Sequence, residues 1–412
     1  MREHEEKLYD VVIAGGGLAG TALALALADL DMRVALVEMH ASPKVGDGPE
    51  RVIALSHGSR CCLDDLGVWS DIEALGVAPI RHICAHEPGN RGEVHMDHHQ
   101  AGVEALGYVV ENDGMLRVMR DRLAQQAAVD LFSPASVQCF VDAGERLWVN
   151  IADESGERRL GTRLLVGADG SHSPVRRMSG IGSVGWDHNR FGLVASVRTE
   201  HPHRGWAYEC FRAPGPLAFL PLDEARCSIV WTLPPMEAGR MMTASDSAFM
   251  AALNRAAGSL VGKALGEVLH TGARACFPFE FRQAKHYVAP RVALIGNAAH
   301  TLHPVAGQGL NLGLRDVAAL ADVLAGECRA GRDPGGPIAL EQYWQRRAGD
   351  TVAVASFTEG LNLLFAPDLR SLKAARGFGM SAMQRLPFAR DWLMRQASGL
   401  GQMNAGRRRV RA

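Results

Sequence analysis

No Cys-x-x-Cys pair occurs among the eight cysteines (Cys61, Cys62, Cys84, Cys139, Cys210, Cys227, Cys276 and Cys328). That excludes the usual zinc spacing and a compact disulfide framework, and makes a reduced, cytoplasmic protein the simple expectation. Nor does any window approach the roughly 20 uninterrupted apolar residues that span a bilayer. The most apolar run, Val11 to Ala28, is broken by four glycines, and reads as strand, turn and helix. The start, Met1 to Tyr9, is charged and lacks an apolar signal core. A formal net charge of −1 supplies no positive excess for nucleic acid, so no nucleic-acid partner is expected. Internal repeats are missing, as is any low-complexity tract other than an Arg-rich end.

What is present is ordinary globular material: 412 residues, 47% hydrophobic and 22% charged, enough to bury a large core across two or three domains of roughly 150 residues. The 45 glycines cluster in short runs, which places tight backbone approaches at particular loops. The small net charge hides an asymmetry. Residues 370–412 hold ten Lys or Arg against one acid, Asp391, a net of +9, so residues 1–369 carry −10. A basic end on an acidic body suggests an anionic partner for that end, a membrane surface or an acidic protein.

Periodicity divides the chain. Tyr9–Ala14 is a short apolar strand, Leu18–Leu30 a helix, Arg33–Glu38 a second strand: a βαβ unit. Helical patterns recur over Ser59–Leu66 and Gly114–Ala128, and an apolar strand, Leu164–Ala168, runs into Asp169-Gly170. Between about 181 and 281 short strand-like runs appear (Gly192–Arg198, Pro216–Leu222, Cys227–Leu233), interrupted by a helical stretch, Ser245–Val268; this reads as a mostly antiparallel sheet domain inserted into the first. Arg291–Ile295 returns to a buried strand, a glycine-rich turn opens a helix over Gly309–Glu327, and the chain is helical from about 336. The expected class is α/β: a Rossmann-like domain from 1–75, 100–180 and 282–335, a substrate domain from 76–99 and 181–281, and a C-terminal helical segment with a basic tail over 336–412.

The first motif is Gly15-Gly16-Gly17-Leu18-Ala19-Gly20, a G-x-G-x-x-G between strand and helix. Gly15 makes the tight turn, Gly17 lets backbone approach a pyrophosphate, and Gly20 lets helix and strand pack closely. Free N–H groups at the helix start bind the phosphate. Glu38 ends the second strand, where a carboxylate can accept both hydroxyls of an adenosine ribose. The competing reading is a glycine-rich structural turn with Glu38 as a solvated strand end. The motif alone does not separate FAD from NAD, although its N-terminal position favours FAD.

Two later stretches join it. In Gly167-Ala168-Asp169-Gly170-Ser171-His172-Ser173-Pro174-Val175-Arg176 a strand ends in a sharp Asp-Gly turn and Ser173 can cap the next helix; alone, it could be no more than a capped turn. The third runs from Gly296 and Asn297 to Gly313. Asn297 follows a buried strand, at the strand end where ligands of α/β sheets bind. Gly307 and Gly309 open a helix whose positive end can face an anion, such as a reduced flavin. His300 and His303, three apart on a loop interrupted by proline and with no acid or cysteine nearby, do not make a metal site, and no metal is expected.

Together these motifs, in this order, resemble the group A flavoprotein aromatic hydroxylases, the family of para-hydroxybenzoate hydroxylase, over nearly the whole chain. The resemblance implies that Gly15, Gly17, Gly20 and Glu38 hold the ADP part of FAD. Asp169 and Gly170 would lie near both FAD and the approach of NAD(P)H, and Asn297 would meet the ribityl chain. Pro304, Gly307, Gly309 and Asn311 would lie beside the isoalloxazine. A narrower resemblance is to the ubiquinone-biosynthesis hydroxylases. It rests on Arg51-Val52-Ile53-Ala54-Leu55-Ser56, Leu66-Gly67-Val68-Trp69, Gly107-Tyr108-Val109-Val110-Glu111-Asn112 and His303-Pro304-Val305-Ala306-Gly307-Gln308-Gly309. It places Arg51 by the flavin or its phosphates. Asn297 stands where the wider family usually has Asp, which is similar to the 2-polyprenyl-6-methoxyphenol hydroxylase branch.

That resemblance implies an FAD-dependent monooxygenase acting on a polyprenylated phenol. NAD(P)H, a transient co-substrate, reduces FAD, oxygen adds at flavin C4a, and the distal oxygen of the hydroperoxide attacks the ring; the cofactor carries the hard chemistry and the protein excludes water. Phe211, Phe219, Leu220, Pro221 and Trp231 could roof the cavity, or simply pack the core. His303 is a candidate base for the phenol, beside Pro304 and Gly307 in the catalytic loop; a structural histidine is the competing reading. Leu361–Phe365, Leu369 and Leu372, and then Phe388, Trp392, Leu393, Ala397 and Leu400, have helix-compatible spacing ahead of the polybasic Gly406–Arg411. This could lie on an anionic bilayer, making the protein peripheral to the inner face of the cytoplasmic membrane, or could pack on the first domain. A ubiquinone-biosynthesis assembly is a further expected partner. Two other functions stay open at this level: a flavin-dependent reductase of a polyprenyl substrate, and a non-catalytic flavin-bearing subunit.

Overall fold

The computed structural model describes residues 7–41, 51–90, 92–213, 215–302, 307–365, 370–386, 388, 394, 395, 398 and 399. His303, Pro304, Val305 and Ala306, with Leu369, Trp392, Leu393, Ala397, Leu400 and the polybasic end, lie outside the described residues.

The first sheet is built on apolar strands buried on both faces, such as Val34–Val37, the pattern of a parallel sheet covered by helices. Its order is Val288–Ala289, Val292–Leu294, Gly156–Gly167, Lys7–Ala14, Val34–Val37, Val129–Phe132. The last five run parallel to their neighbours. An antiparallel pair, Ala135–Asp142 and Leu147–Asp153, extends from Gly156–Gly167; its mixed polar sequence gave no strand signal. The helix Leu18–Ala28 is buried along most of its length beside the helix Gln308–Arg329.

The second sheet has the order His300–Thr301, Val268–Ala284, Ser183–Thr199, Arg226–Leu233, Leu217–Pro221, Trp206–Cys210, His82–His86, Glu93–Asp97. All pairings are antiparallel except that of Trp206–Cys210 with His82–His86. Alternation along these strands separates two faces. One carries Cys84, Leu193, Tyr208, Phe219, Ile229 and Trp231 into a core with Phe249 and Leu253. Two helices cover it, Pro235–Thr243 and Asp246–Leu265, the second bent at Gly258 (φ +77°), where the sequence suggested one continuous stretch. The opposite face looks toward the first domain. A small sheet of Val52–Ser56, Gly107–Glu111 and Ala78–Ile80 lies between.

The helices Pro337–Phe365 and Arg370–Arg385 close the molecule. The second is fastened to the Ile83–Asp97 region. Arg376 donates to the Glu87 carboxylate at 2.5 and 3.2 Å, Asn90 Nδ2 donates to the Lys373 carbonyl at 2.6 Å, and the His95 amide donates to Gln384 Oε1 at 2.9 Å. Both members of the Arg376–Glu87 pair are buried. No helix among the described residues is long and apolar enough to cross a membrane.

Candidate functional site

The glycine turn fits its expected geometry. Gly15 has φ +107°, and a Cβ there would sit 2.3 Å from the Ala168 carbonyl oxygen. A Cβ on Gly20 would lie 1.9 Å from the Gly15 carbonyl oxygen, so both positions exclude a side chain. Gly17, at the helix start, has open space around it and no side chain caps the helix. The turn thus presents uncapped amides to the cavity, as a phosphate site requires.

Glu38 ends the second strand as expected. Its Oε2 accepts from the Gly16 amide at 2.6 Å and its Oε1 from the His40 amide at 2.8 Å. A carboxylate has about four acceptor sites, so ribose hydroxyls can still be received. Arg120, which sequence reasoning missed, stands beside it: its guanidinium donates to the Gly16 carbonyl at 2.9 Å and lies 4.0 Å from Glu38 Oε2. It comes from the helix Asn112–Leu123, remote in sequence from either motif.

The second motif is folded as a cap. Ser173 Oγ accepts from the Arg176 amide, and Asp169 Oδ2 from the Val175 amide at 2.9 Å. Asp169 Oδ1 is buried with no hydrogen-bond partner among the described residues. Burial pushes this carboxyl above the usual range, against the pull of the Ser173 hydroxyl, the Val175 amide and Arg176. Arg176, 4% exposed, joins two motifs: it donates to Ser171 O and to Ala298 O, each at 2.7 Å.

The third motif hangs on a buried acid. Asp316, eight residues into the helix Gln308–Arg329, is fully buried. It accepts from the Gly296 amide at 2.9 Å, His300 Nε2 at 2.6 Å and Arg347 Nε at 2.7 Å. Burial opposes its ionisation, but His300 and Arg347 outweigh that and hold the carboxyl below its ordinary range. The sequence showed no acid near His300; the fold brings one from sixteen residues away, and His300 is structural. The network fixes the turn that leaves Asn297 exposed on the cavity wall.

Gly307 starts the long helix with φ +62°, 3.1 Å from Ala54 at its absent Cβ. Asn311 is 1% exposed and its amide is occupied by protein: it accepts from the Ser56 amide and Ser59 Oγ, and donates to Ala54 O and Gly307 O. It shapes the loop through Gly307 and the strand Val52–Ser56. At Gly309 a Cβ would meet nothing within 4 Å, and the residue opens on the cavity. Arg51 is absent from the cavity lining; its guanidinium stacks over the Phe277 ring at 4.7 Å. Of the residues expected to roof the site, Phe211 and Leu220 line the cavity, whereas Phe219 and Trp231 point into the core under the two covering helices. Strand alternation makes the division.

One cavity of about 1080 Å³ is lined by part of this arrangement; Gly15, Gly20, Glu38, Arg51 and Asp169 are outside its lining. Gly17, Gly170, Asn297, Gly309 and Asn311 stand at one part of it, and Leu361, Phe365, Met380 and Met383 of the C-terminal helices at another. The uncapped glycine turn, the unpartnered Asp169 oxygen and the exposed Asn297 fit a ligand with a phosphate and many hydroxyls, as FAD has.

Known proteins agree. The model of the FAD binding domain family matches residues 8–358. The ubiquinone hydroxylase UbiL of Rhodospirillum rubrum is 34% identical over 96% of this chain and 90% of its own. The 3-demethoxyubiquinol 3-hydroxylase of Escherichia coli K12 is 33% identical over 95% of this chain and 98% of its own. Among solved structures, p-nitrophenol 4-monooxygenase PnpA from Pseudomonas putida DLL-E4 superposes with a TM-score of 0.77 at 18% identity, over 95% of this chain and 98% of that one. The chain therefore belongs to the FAD binding domain family, as an FAD-dependent flavoprotein monooxygenase.

Proposed function

We propose that this chain hydroxylates the aromatic ring of a polyprenylated phenol in ubiquinone biosynthesis, with NAD(P)H as transient co-substrate. The observation that carries this reading is the continuity of the cavity. Pockets for one drug-sized ligand run from about 300 to 1,000 Å³; this one, at about 1080 Å³, passes from the cofactor turn into a wall of Ile83, Val94, Met96, Phe365, Met380 and Met383. A polar head beside the cofactor and a long hydrocarbon tail match that division.

Bound FAD supplies the electrons and the oxygen activation. The chain's own residues do the rest. Gly15, Gly17 and Gly20 would admit the pyrophosphate to the helix start, Glu38 would receive the ribose, and Asn297 and Asp169 would bond the ribityl chain. The start of the helix Gln308–Arg329 would face negative charge on the pyrimidine ring. The apolar wall keeps water from the reacting ring. For the catalytic loop we keep Pro304 and Gly307 as residues that place the ring edge, with His303 beside them.

Asn297 supports 2-polyprenyl-6-methoxyphenol as the first choice of substrate, and the likeness to a 3-demethoxyubiquinol 3-hydroxylase supports a second ring position. Mass spectrometry of lipids from a deletion strain decides between them: a 6-methoxyphenol should accumulate for the first and a demethoxyquinol for the second. Label from oxygen gas should appear in the product; substrate-independent oxygen use without labelled product would overturn the hydroxylase reading.

We also infer that the C-terminal helices face an anionic membrane, inside the cytoplasm. The helices that line the cavity also carry Leu363, 74% exposed, and Phe378, 78% exposed, and residues 370–412 carry +9. Basic charge beside exposed apolar side chains is how a peripheral protein holds a bilayer. Sedimentation with phosphatidylglycerol vesicles, reduced by Phe378→Ser and by high salt, tests this; equal binding to neutral vesicles would refute it.

A further inference from the structure

The face of the second sheet that looks into the cavity is almost wholly apolar. It carries Ile83, Ala85, Val94 and Met96 on one hairpin, Ala207 and Glu209 on the next strand, and Ala218, Leu220, Val230 and Thr232 beyond. Glu209 is the one carboxylate among the described residues of that surface; Tyr208 of the same strand also borders the cavity but packs in the helix-covered core. Strand alternation puts Glu209 there: Tyr208 and Cys210 turn to the helix-covered core, and Ala207 and Glu209 turn to the cavity. Its cross-strand neighbours are Ala85 and Ala218, which leave room above the carboxylate and offer it no charge. It forms no side-chain hydrogen bond or ion pair with any described residue, although its oxygens open on the cavity.

An acid in such a place costs the fold something and gives it no contact. Burial alone pushes its carboxyl up to about 7, where a general base works best at neutral pH. Other ionisable groups nearby are accounted for. Arg376 lines the cavity but is held by Glu87. The Tyr208 phenol and the Cys210 thiol are pushed up by burial and face the core.

We propose that Glu209 binds the phenolic hydroxyl of the substrate and takes its proton as the ring is attacked. This rests on the reading that the substrate is a phenol. The O–H bond of the phenol breaks, a carboxyl O–H forms on Glu209, and the electron pair stays on the phenolic oxygen, enriching the ring. As the hydroxylated ring regains aromaticity, its carbon-bound hydrogen leaves as a proton that ends in the water formed from the second oxygen atom, and Glu209 returns the first proton to the phenolic oxygen. Glu209 thereby takes the role that sequence reasoning offered to His303.

The test uses the FAD-loaded protein and 2-geranylphenol, with binding followed by calorimetry and product by chromatography. Wild type should bind the phenol with an affinity that falls as the pH drops through the Glu209 ionisation near neutrality. Glu209→Gln should bind about 10- to 100-fold more weakly, as expected for loss of a hydrogen bond to a charged group, and without that pH dependence. Its product formation should fall about 10²- to 10⁴-fold and lose the acid limb of the pH profile. Glu209→Asp should restore the limb in part. FAD content and melting temperature show that each variant is folded. Wild-type binding followed by unchanged affinity and unchanged pH profile in Glu209→Gln would overturn the role of Glu209 alone. Failure of wild type to bind any alkylphenol would overturn the substrate reading, and this role with it.

Discussion

Replacing Asp316 by Ala should separate the folding of this protein from its grip on FAD. The side chain is fully buried and receives three donors: the Gly296 amide, His300 Nε2 and Arg347 Nε. Removing one partner of a buried ion pair costs about 3–5 kcal/mol, and a buried amide left without an acceptor about 1–3 kcal/mol more. Arg347 keeps Asp350, which it meets at 2.5 Å, so the combined loss should lie near the low end, about 4 kcal/mol. That is a large part of the roughly 5–15 kcal/mol that holds a protein folded. Asp316→Asn keeps the shape and some bonds, and should cost about 1.5–3 kcal/mol. Urea denaturation of the apoprotein should rank wild type above Asp316→Asn above Asp316→Ala. Because the folded carboxyl ionises below its usual range, its contribution is complete above the ordinary carboxylate value. It is lost only as pH falls through the lower folded one, so the ranking should hold unchanged across neutral pH. Flavin fluorescence should show FAD binding weakened by about tenfold or more, the equivalent of 1.4 kcal/mol, since the Gly296–Asn297 turn loses its anchor. Stability within 1 kcal/mol of wild type for Asp316→Ala, by the ~3–5 kcal/mol expectation, together with normal FAD affinity, would refute the argument.

Three further outcomes follow from single contacts. Gly20→Ala drives a carbon to 1.9 Å from the Gly15 carbonyl oxygen; the purified variant should be pale, with FAD restored poorly on titration, and a normal flavin spectrum would contradict the close packing. Ala85→Phe fills the cavity face beside Glu209. It should raise KM about tenfold for a farnesylated phenol and a one-isoprene analogue alike, since both seat the phenol at Glu209, as measured by steady-state kinetics. Glu209→Gln should stabilise the apoprotein at alkaline pH. A carboxyl raised to about 7 from 4.5 costs the folded state about 3 kcal/mol once ionised, at 1.36 kcal/mol per unit. Stability is therefore lost as pH rises from the unfolded value through the folded one. Thermal melts should show a gain that is absent below about pH 4.5, grows as pH rises toward about 7, and is level above it.

The glycine turn was legible because its geometry is local: strand, three glycines and helix are contiguous, and Gly15 and Gly20 are needed by backbone contacts within that unit. The inserted sheet was legible as a class, since Cys227–Leu233 and its neighbours are short and bounded by turns. What sequence could not place was the partner of each polar group. Arg120 reaches Gly16 across 104 residues, and Arg176 reaches Ala298 across 122. Arg347 meets Asp316 from another helix. A signal existed for some of them. Asp316 sits five residues after Asn311, inside an apolar helix where an acid needs a buried cation. Glu209 interrupts Trp206–Cys210, a strand otherwise free of charge, which asks what that charge faces. The split of Phe219 and Trp231 from Leu220 was written in the period of two, but deciding which face held the cavity needed the three-dimensional pairing with His82–His86.

The order of the strands along the chain has an evolutionary consequence. The first sheet takes strands before residue 15 and again after residue 287, and the second takes a hairpin before residue 98 and its remainder after residue 182. No single excision frees one layer from the other, so neither can be traded as a cassette. A lineage on this scaffold that comes to prefer a new ring or a shorter tail must therefore do so by exchanging individual side chains along the cavity face, each tolerated by both layers at once.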